Sequence, residues 1–119
     1  MVPIILIAHG SRDPNWQKPF HRFLNFFNEL TTNHEIALCY MEICKPTLLD
    51  VCQNFYDKGV YTVHLVPMFM ASGGHVDHDI PRQVLDVKQV LPDFSIILAP
   101  PIGEHPIVVE AMVKSLQSL

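Results

Sequence analysis

Two histidines stand where an α/β protein does its chemistry. His9 ends the apolar run Ile4 to Ala8 and opens Gly10-Ser11-Arg12. His75 closes the stretch Pro67-Met68-Phe69-Met70-Ala71-Ser72-Gly73-Gly74, which follows the apolar run Val60 to Val66 and precedes a helical segment. Gly73 and Gly74 permit the tight turn or positive φ that brings a side chain into an open position. If the apolar runs are parallel strands, their carboxyl ends also collect Glu42-Ile43-Cys44-Lys45 and Gly103-Glu104-His105. Imidazoles with a carboxylate suit a first-row divalent ion such as Co²⁺, Ni²⁺ or Fe²⁺. The donors come from separate strands, so no local H-E-x-x-H motif marks them.

Each of these residues also has a plainer reading. His64 lies inside the third apolar run and reads as a core or interface histidine; His21 and His34 read as solvated. His105 sits in a proline-bounded loop and suits a structural role. His78 follows His75 by one helical turn, which allows a second ligand, a supporting partner or a solvated cap. Glu42 reads equally as a surface carboxylate. Met68, Phe69 and Met70 are either loop packing or an apolar lip over a flat ligand. Cys39, Cys44 and Cys52 are odd in number and form no C-x-x-C pair, so buried thiols in a reducing compartment are expected.

The elements that must hold these residues follow from periodicity. Ile4 to Ala8 is continuously apolar, the mark of a strand covered on both faces. Asp13-Pro14-Asn15 offers a helix cap, and Phe20, Phe23, Leu24, Phe27 and Leu30 recur at helical spacing over about four turns. Glu35 to Met41 is a second strand. Pro46-Thr47 opens a helix with Leu48, Leu49, Cys52, Phe55 and Tyr56 on its apolar face, and Gly59 suits its C′ position. Val60 to Val66 is the third strand. Ile80, Val84, Val87 and Leu91 mark a third helix, with Asp79-Ile80-Pro81 in its first turn. Ser95 to Ala99 is a fourth strand, and Pro106 opens a last helix with Val109, Met112, Leu116 and Leu119 expected inward. Four β-α units predict a single α/β domain over residues 1–119: a parallel four-stranded sheet flanked by helices on both faces. In such sheets ligands bind beyond the carboxyl ends of the strands, where strand order reverses.

Composition narrows the partners. The chain has 119 residues, 49% hydrophobic and 17% charged, which suits one domain with a real core. A net charge of −4 argues against nucleic acid. No apolar run approaches a membrane span and no secretory leader is visible, so a cytoplasmic protein is expected.

The motifs together resemble a known family. Ile5-Leu6-Ile7-Ala8-His9-Gly10-Ser11-Arg12-Asp13-Pro14 is similar to the opening of the CbiX/SirB tetrapyrrole chelatases. Pro67-Met68-Phe69-Met70 with Gly73-Gly74-His75-Val76 and Asp79-Ile80-Pro81 resembles their second signature. The likeness runs over roughly residues 4 to 115. It implies a chelatase-like fold and insertion of cobalt, iron or nickel into sirohydrochlorin, with His9 and His75 on the metal. It maps a family glutamate onto Glu42 and the proline after it onto Pro46. It implies a short form working as a homodimer, with the metal as substrate and no organic cofactor. Met68 and Met70 are bulkier and softer than the family loop leads one to expect.

On that reading His9, Glu42 and His75 are catalytic, and Glu42 completes the metal site or accepts a proton. Ser11, Arg12, Lys45, Met68, Phe69, Met70, Ser72, Gly73, Gly74 and Arg82 are expected against the substrate, the cations pairing with its carboxylates. Two rivals remain. A metal-delivery protein without insertase activity needs the histidines but no tetrapyrrole cleft. A hydrolase using Ser11 lacks the G-x-S-x-G elbow, and a histidine phosphatase would want Arg where Ala8 stands.

Overall fold

Strands rich in Ile, Leu and Val, too apolar for one wet face, call for cover on both sides. The computed structural model gives it to the central strands and leaves β4 partly open. It describes the backbone of residues 1–119 and every side chain except that of His75. Strands β1 (Ile4–Ala8), β2 (Ile36–Tyr40), β3 (Thr62–Pro67) and β4 (Ser95–Leu98) pair in the order β2-β1-β3-β4. Every ladder is parallel, and Ile7 lies level with Cys39 on one side and Pro67 on the other. Between and after them run helices α1 (Pro14–Leu30), α2 (Leu48–Asp57), α3 (Ile80–Val90) and α4 (Pro106–Gln117). The expected parallel four-stranded α/β architecture is the observed one, with strand ends shifted by a residue or two.

The two faces of the sheet differ. Ile5, Ile7, Cys39, Val63 and Leu65 meet Leu48, Cys52 and Phe55 of α2 and Ile80 and Val87 of α3 in a sealed core. Burial pushes the Cys52 thiol up to about 12 and raises that of Cys39, so both are neutral packing groups. On the other face only Leu6, Ala8, Leu38 and Tyr40 are buried, under Trp16, Phe20 and Leu24 of α1. No residue of α1 or α4 is fully buried.

The expected inward face of α4 is corrected here. Val109, Leu116 and Leu119 are 42%, 67% and 99% exposed, and Met112 is only half-buried. The sheet ends at β4, whose own Ile97 and Leu98 stay exposed, so the last helix has no further strand to cover. In α1, Phe23 and Leu30 are likewise exposed although periodicity placed them with Phe20 and Leu24.

Helix ends follow their local chemistry. The Asp13 carboxylate accepts from the Asn15 N–H (2.9 Å) and caps α1. Thr47 and Asp50 form a reciprocal capping box on α2, and the hydrogen bonds lower the Asp50 carboxyl pKa. Gly59 takes a positive φ of 84° after α2, the C′ role expected of it. The His105 imidazole accepts from the Ile107 N–H (3.2 Å) and caps α4, which is the structural role its position suited.

Candidate metal and substrate site

Strand order reverses between β1 and β3, and the sequence supplies its histidines at that point. His9 follows β1 directly. The ladder between β1 and β2 continues past the strands: Met41 N–H donates to Ala8 O (2.8 Å) and Glu42 N–H to His9 O (3.1 Å). These bonds set His9 and Glu42 side by side. Gly10, with φ of 113°, lets the chain leave β1 beneath them; a Cβ there would collide with the Glu42 carbonyl. Met41 is held in turn by Gln83 of α3, whose Nε2 donates to its carbonyl oxygen (2.9 Å).

The side chains then meet. His9 Nε2 lies 3.1 Å from Glu42 Oε1, and His9 Nδ1 lies 3.3 Å from Gly10 O. Both ring nitrogens thus face oxygens, yet a neutral imidazole carries one N–H. With that proton on Nε2 the contact is an ordinary hydrogen bond; with it on Nδ1, the Nε2 lone pair and the carboxylate oxygen are two donor atoms that could hold a divalent cation together. The side chains are 41% and 50% exposed, so the position is open to solvent and to a large ligand. Among the described residues no three His, Cys, Asp or Glu side chains form a ligand group.

His75 begins a π-helical turn, His75–Asp79, that leads into α3. Such wide turns are common at functional sites; periodicity placed only the first turn of an α-helix near Asp79. The side chain of His75 lies outside the described residues. Gly74 has φ of −54° and neither Gly73 nor Gly74 takes a positive φ, so the positive-φ alternative for this pair is corrected. A Cβ on either would meet no described atom within 4 Å, so the glycines leave open space instead.

The remaining candidates scatter around this rim. Met68 packs with the face covered by α1, Phe69 with the sealed core, and only Met70 is exposed, at 66%. Ser11 Oγ accepts from the Asp13 N–H (3.1 Å), the local backbone bond a post-strand serine suits. Arg12 and Lys45 are exposed. Arg82 is exposed and lies 3.7 Å from Asp79, one helical turn away. His78 is exposed and His64 half-buried. Gln83 was not legible beforehand, since a polar residue on an amphipathic helix gives no sign that it reaches a neighbouring strand end.

Opposite β3 the loop is held by the 3-10 turn Ile102–Glu104 that precedes α4. Gly103 N–H donates to Phe69 O (3.0 Å), and a Cβ on Gly103 would collide with the Met70 backbone. The Glu104 carboxylate accepts from the Ser72 N–H (3.2 Å) and from Ser72 Oγ (3.1 and 3.3 Å).

Comparison with known proteins follows this geometry. The CbiX family model matches residues 3–119. The chain belongs to the CbiX family. A relative from Methanopyrus kandleri, named sirohydrochlorin cobaltochelatase, is 25% identical, covering 98% of this chain and 96% of its own. Among solved structures, a Marinobacter aquaeolei VT8 protein described as a CbiX protein of cobalamin (vitamin B12) biosynthesis superposes with a TM-score of 0.85. It is 30% identical, over 99% of this chain and 96% of that one. The Bacillus subtilis sirohydrochlorin chelatase SirB, solved in complex with cobalt, shares the fold at 24% identity and a TM-score of 0.80. All of this chain matches only 51% of SirB.

Proposed function

We propose that this CbiX chain inserts a divalent metal into sirohydrochlorin, with Co²⁺ the first candidate and Fe²⁺ and Ni²⁺ as alternatives. The observation that carries the reading is the His9–Glu42 pair, 3.1 Å apart at the point of strand reversal. Membership of CbiX and the full-length likeness to a protein named sirohydrochlorin cobaltochelatase support the substrate.

Before insertion, His9 Nε2 and Glu42 Oε1 hold the metal, with His75 as the further ligand. Few protein ligands leave positions open, as insertion requires. The macrocycle docks over the open glycines, and its nitrogens take the metal in turn. Two pyrrole protons must leave as the dication enters. The metal's departure frees one lone pair on His9 and one on Glu42, so the two atoms that held it accept the two protons. Charge stays balanced: a dication leaves the protein atoms and two protons replace it. Arg12 and Lys45, both exposed and three residues after His9 and Glu42 respectively in the chain, pair with substrate carboxylates, and Met70 supplies apolar contact; Met68 and Phe69 support the loop from within.

The acting unit is a homodimer of one-domain chains. Support comes from the apolar side chains left uncovered on α1 and α4 and from SirB, a chain about twice as long with the same fold. The reading requires no organic cofactor and fits a cytoplasmic setting; among the described residues no helix is long and apolar enough to cross a membrane.

The rival is metal delivery without insertion. Equilibrium titration of metal-free sirohydrochlorin, followed by absorbance under anaerobic conditions, separates the two. Saturable binding of one tetrapyrrole per site is expected, and no binding at 100 μM tetrapyrrole (about 5 kcal/mol of affinity) would favour delivery.

A further inference from the structure

From the Glu104–Ser72 contact we infer that Glu104 is a positioning residue: it sets the affinity of the metal site by fixing the strand-end loop that leads to His75. The inference rests on the reading of His75 as a metal ligand.

Three observations converge. His75 follows β3 by a loop of eight residues, Met68 to His75, whose last part, Gly73-Gly74, has no described neighbour to pack a Cβ against. From Gly73 on, the chain is held by the π-helical turn, where Gly73 O accepts from the Asp77 N–H (2.8 Å). How that turn and its histidine sit on the rim depends on the segment before it, which is tied at two points to one short turn. At its base Gly103 N–H donates to Phe69 O, in a contact so close that only glycine fits over Met70. Three residues before His75, both hydrogen-bond donors of Ser72 converge on the carboxylate of Glu104.

The partner is chemically apt. A carboxylate accepts from a backbone N–H and a hydroxyl together, and bonds to a charged acceptor are stronger than neutral ones. Glu104 is exposed and belongs to the turn that begins α4, away from the sealed core, so the fold does not depend on it. Its effect falls on how narrowly the loop is held rather than on whether the chain folds. Residues that orient a metal ligand typically change metal affinity by about 10–100-fold when removed. The exposed contact here belongs at the lower end of that range, since water competes for the same donors.

The test is Co²⁺ titration of the full chain without tetrapyrrole, beside hydrogen exchange of the segment 70–80. Glu104→Ala is expected to weaken Co²⁺ about 10-fold, and Glu104→Gln, which keeps one acceptor oxygen, by less. Ser72→Ala removes the hydroxyl but keeps the N–H, so a loss of about 2–3-fold is expected. Because the two residues share one contact, the double variant Ser72→Ala/Glu104→Ala should bind as Glu104→Ala does. Exchange in residues 70–80 should quicken in Glu104→Ala while the core strands stay protected. His75→Ala is the control for the underlying reading. If His75→Ala loses Co²⁺ while Glu104→Ala binds as tightly as the native chain, the positioning role is overturned and the histidine reading stands. If His75→Ala also binds as tightly as the native chain, the histidine reading fails and takes the positioning role with it.

Discussion

The two faces of the sheet are built from the same strands and differ in what covers them. Toward α2 and α3, Leu48, Cys52, Phe55, Ile80 and Val87 are 4% exposed or less. Toward α1, burial stops at four sheet residues, and the helix keeps Phe23, Phe26 and Leu30 at 43%, 59% and 70% exposed. One face is closed by this chain alone; α1 on the other face, and α4, keep apolar side chains exposed. The radius of gyration, 14.8 Å, exceeds the roughly 13.5 Å of a compact chain of this length. One face supplies stability; the other is the surface the proposed homodimer would use.

The largest effect that could break this contrast is in stability. Phe55→Ala empties a sealed position and should cost about 3–5 kcal/mol, whereas Phe26→Ala should change the stability of the isolated chain by no more than about 0.5 kcal/mol. Chemical denaturation at low protein concentration compares them. Equal losses would mean that the faces do not differ in the way described.

A smaller effect sharpens the same contrast. Phe26→Asp and Leu116→Asp place a charge on the open surface. If the homodimer uses it, at least one should weaken self-association by about 30-fold or more, the scale of a 2 kcal/mol hot spot, with no loss of fold. Sedimentation velocity across a concentration series reads this. A native chain that stays monomeric at 100 μM, weaker than a Kd of about 100 μM, would leave the apolar surface without its proposed occupant.

The sequence showed the sealed face better than the open one. Continuous apolar strands and the i, i+4, i+7 pattern of α2 and α3 are direct records of burial, because a helix with sheet to cover repeats its apolar residues at that spacing. The same pattern in α4 misled: Val109, Leu116 and Leu119 are spaced for a core, but periodicity does not say whose core. In the site, His9 and Glu42 were legible as strand-end residues, since parallel pairing alone brings strand ends level. Three things were not. The π-helical turn at His75 leaves no compositional trace. Gln83 reaches Met41 O by a long-range bond that no local pattern encodes. The role of Gly103 depends on the backbone of Met70, which only the folded chain brings beside it. The open surroundings of Gly73 and Gly74 belong to the same class, because the pair reads identically in a strained turn.

The His9–Glu42 pair with His75 as the insertion site is the central claim, and it is most directly tested by single-turnover absorbance under anaerobic conditions. Native protein, His9→Ala and His75→Ala would each be mixed with sirohydrochlorin and Co²⁺. The expected result is rapid appearance of the cobalt-tetrapyrrole spectrum with native protein and a rate at least about 100-fold lower, an increase of about 2.7 kcal/mol in barrier, in either variant. Native-like rates in both variants would contradict the account, and so would a native rate no faster than the uncatalysed reaction.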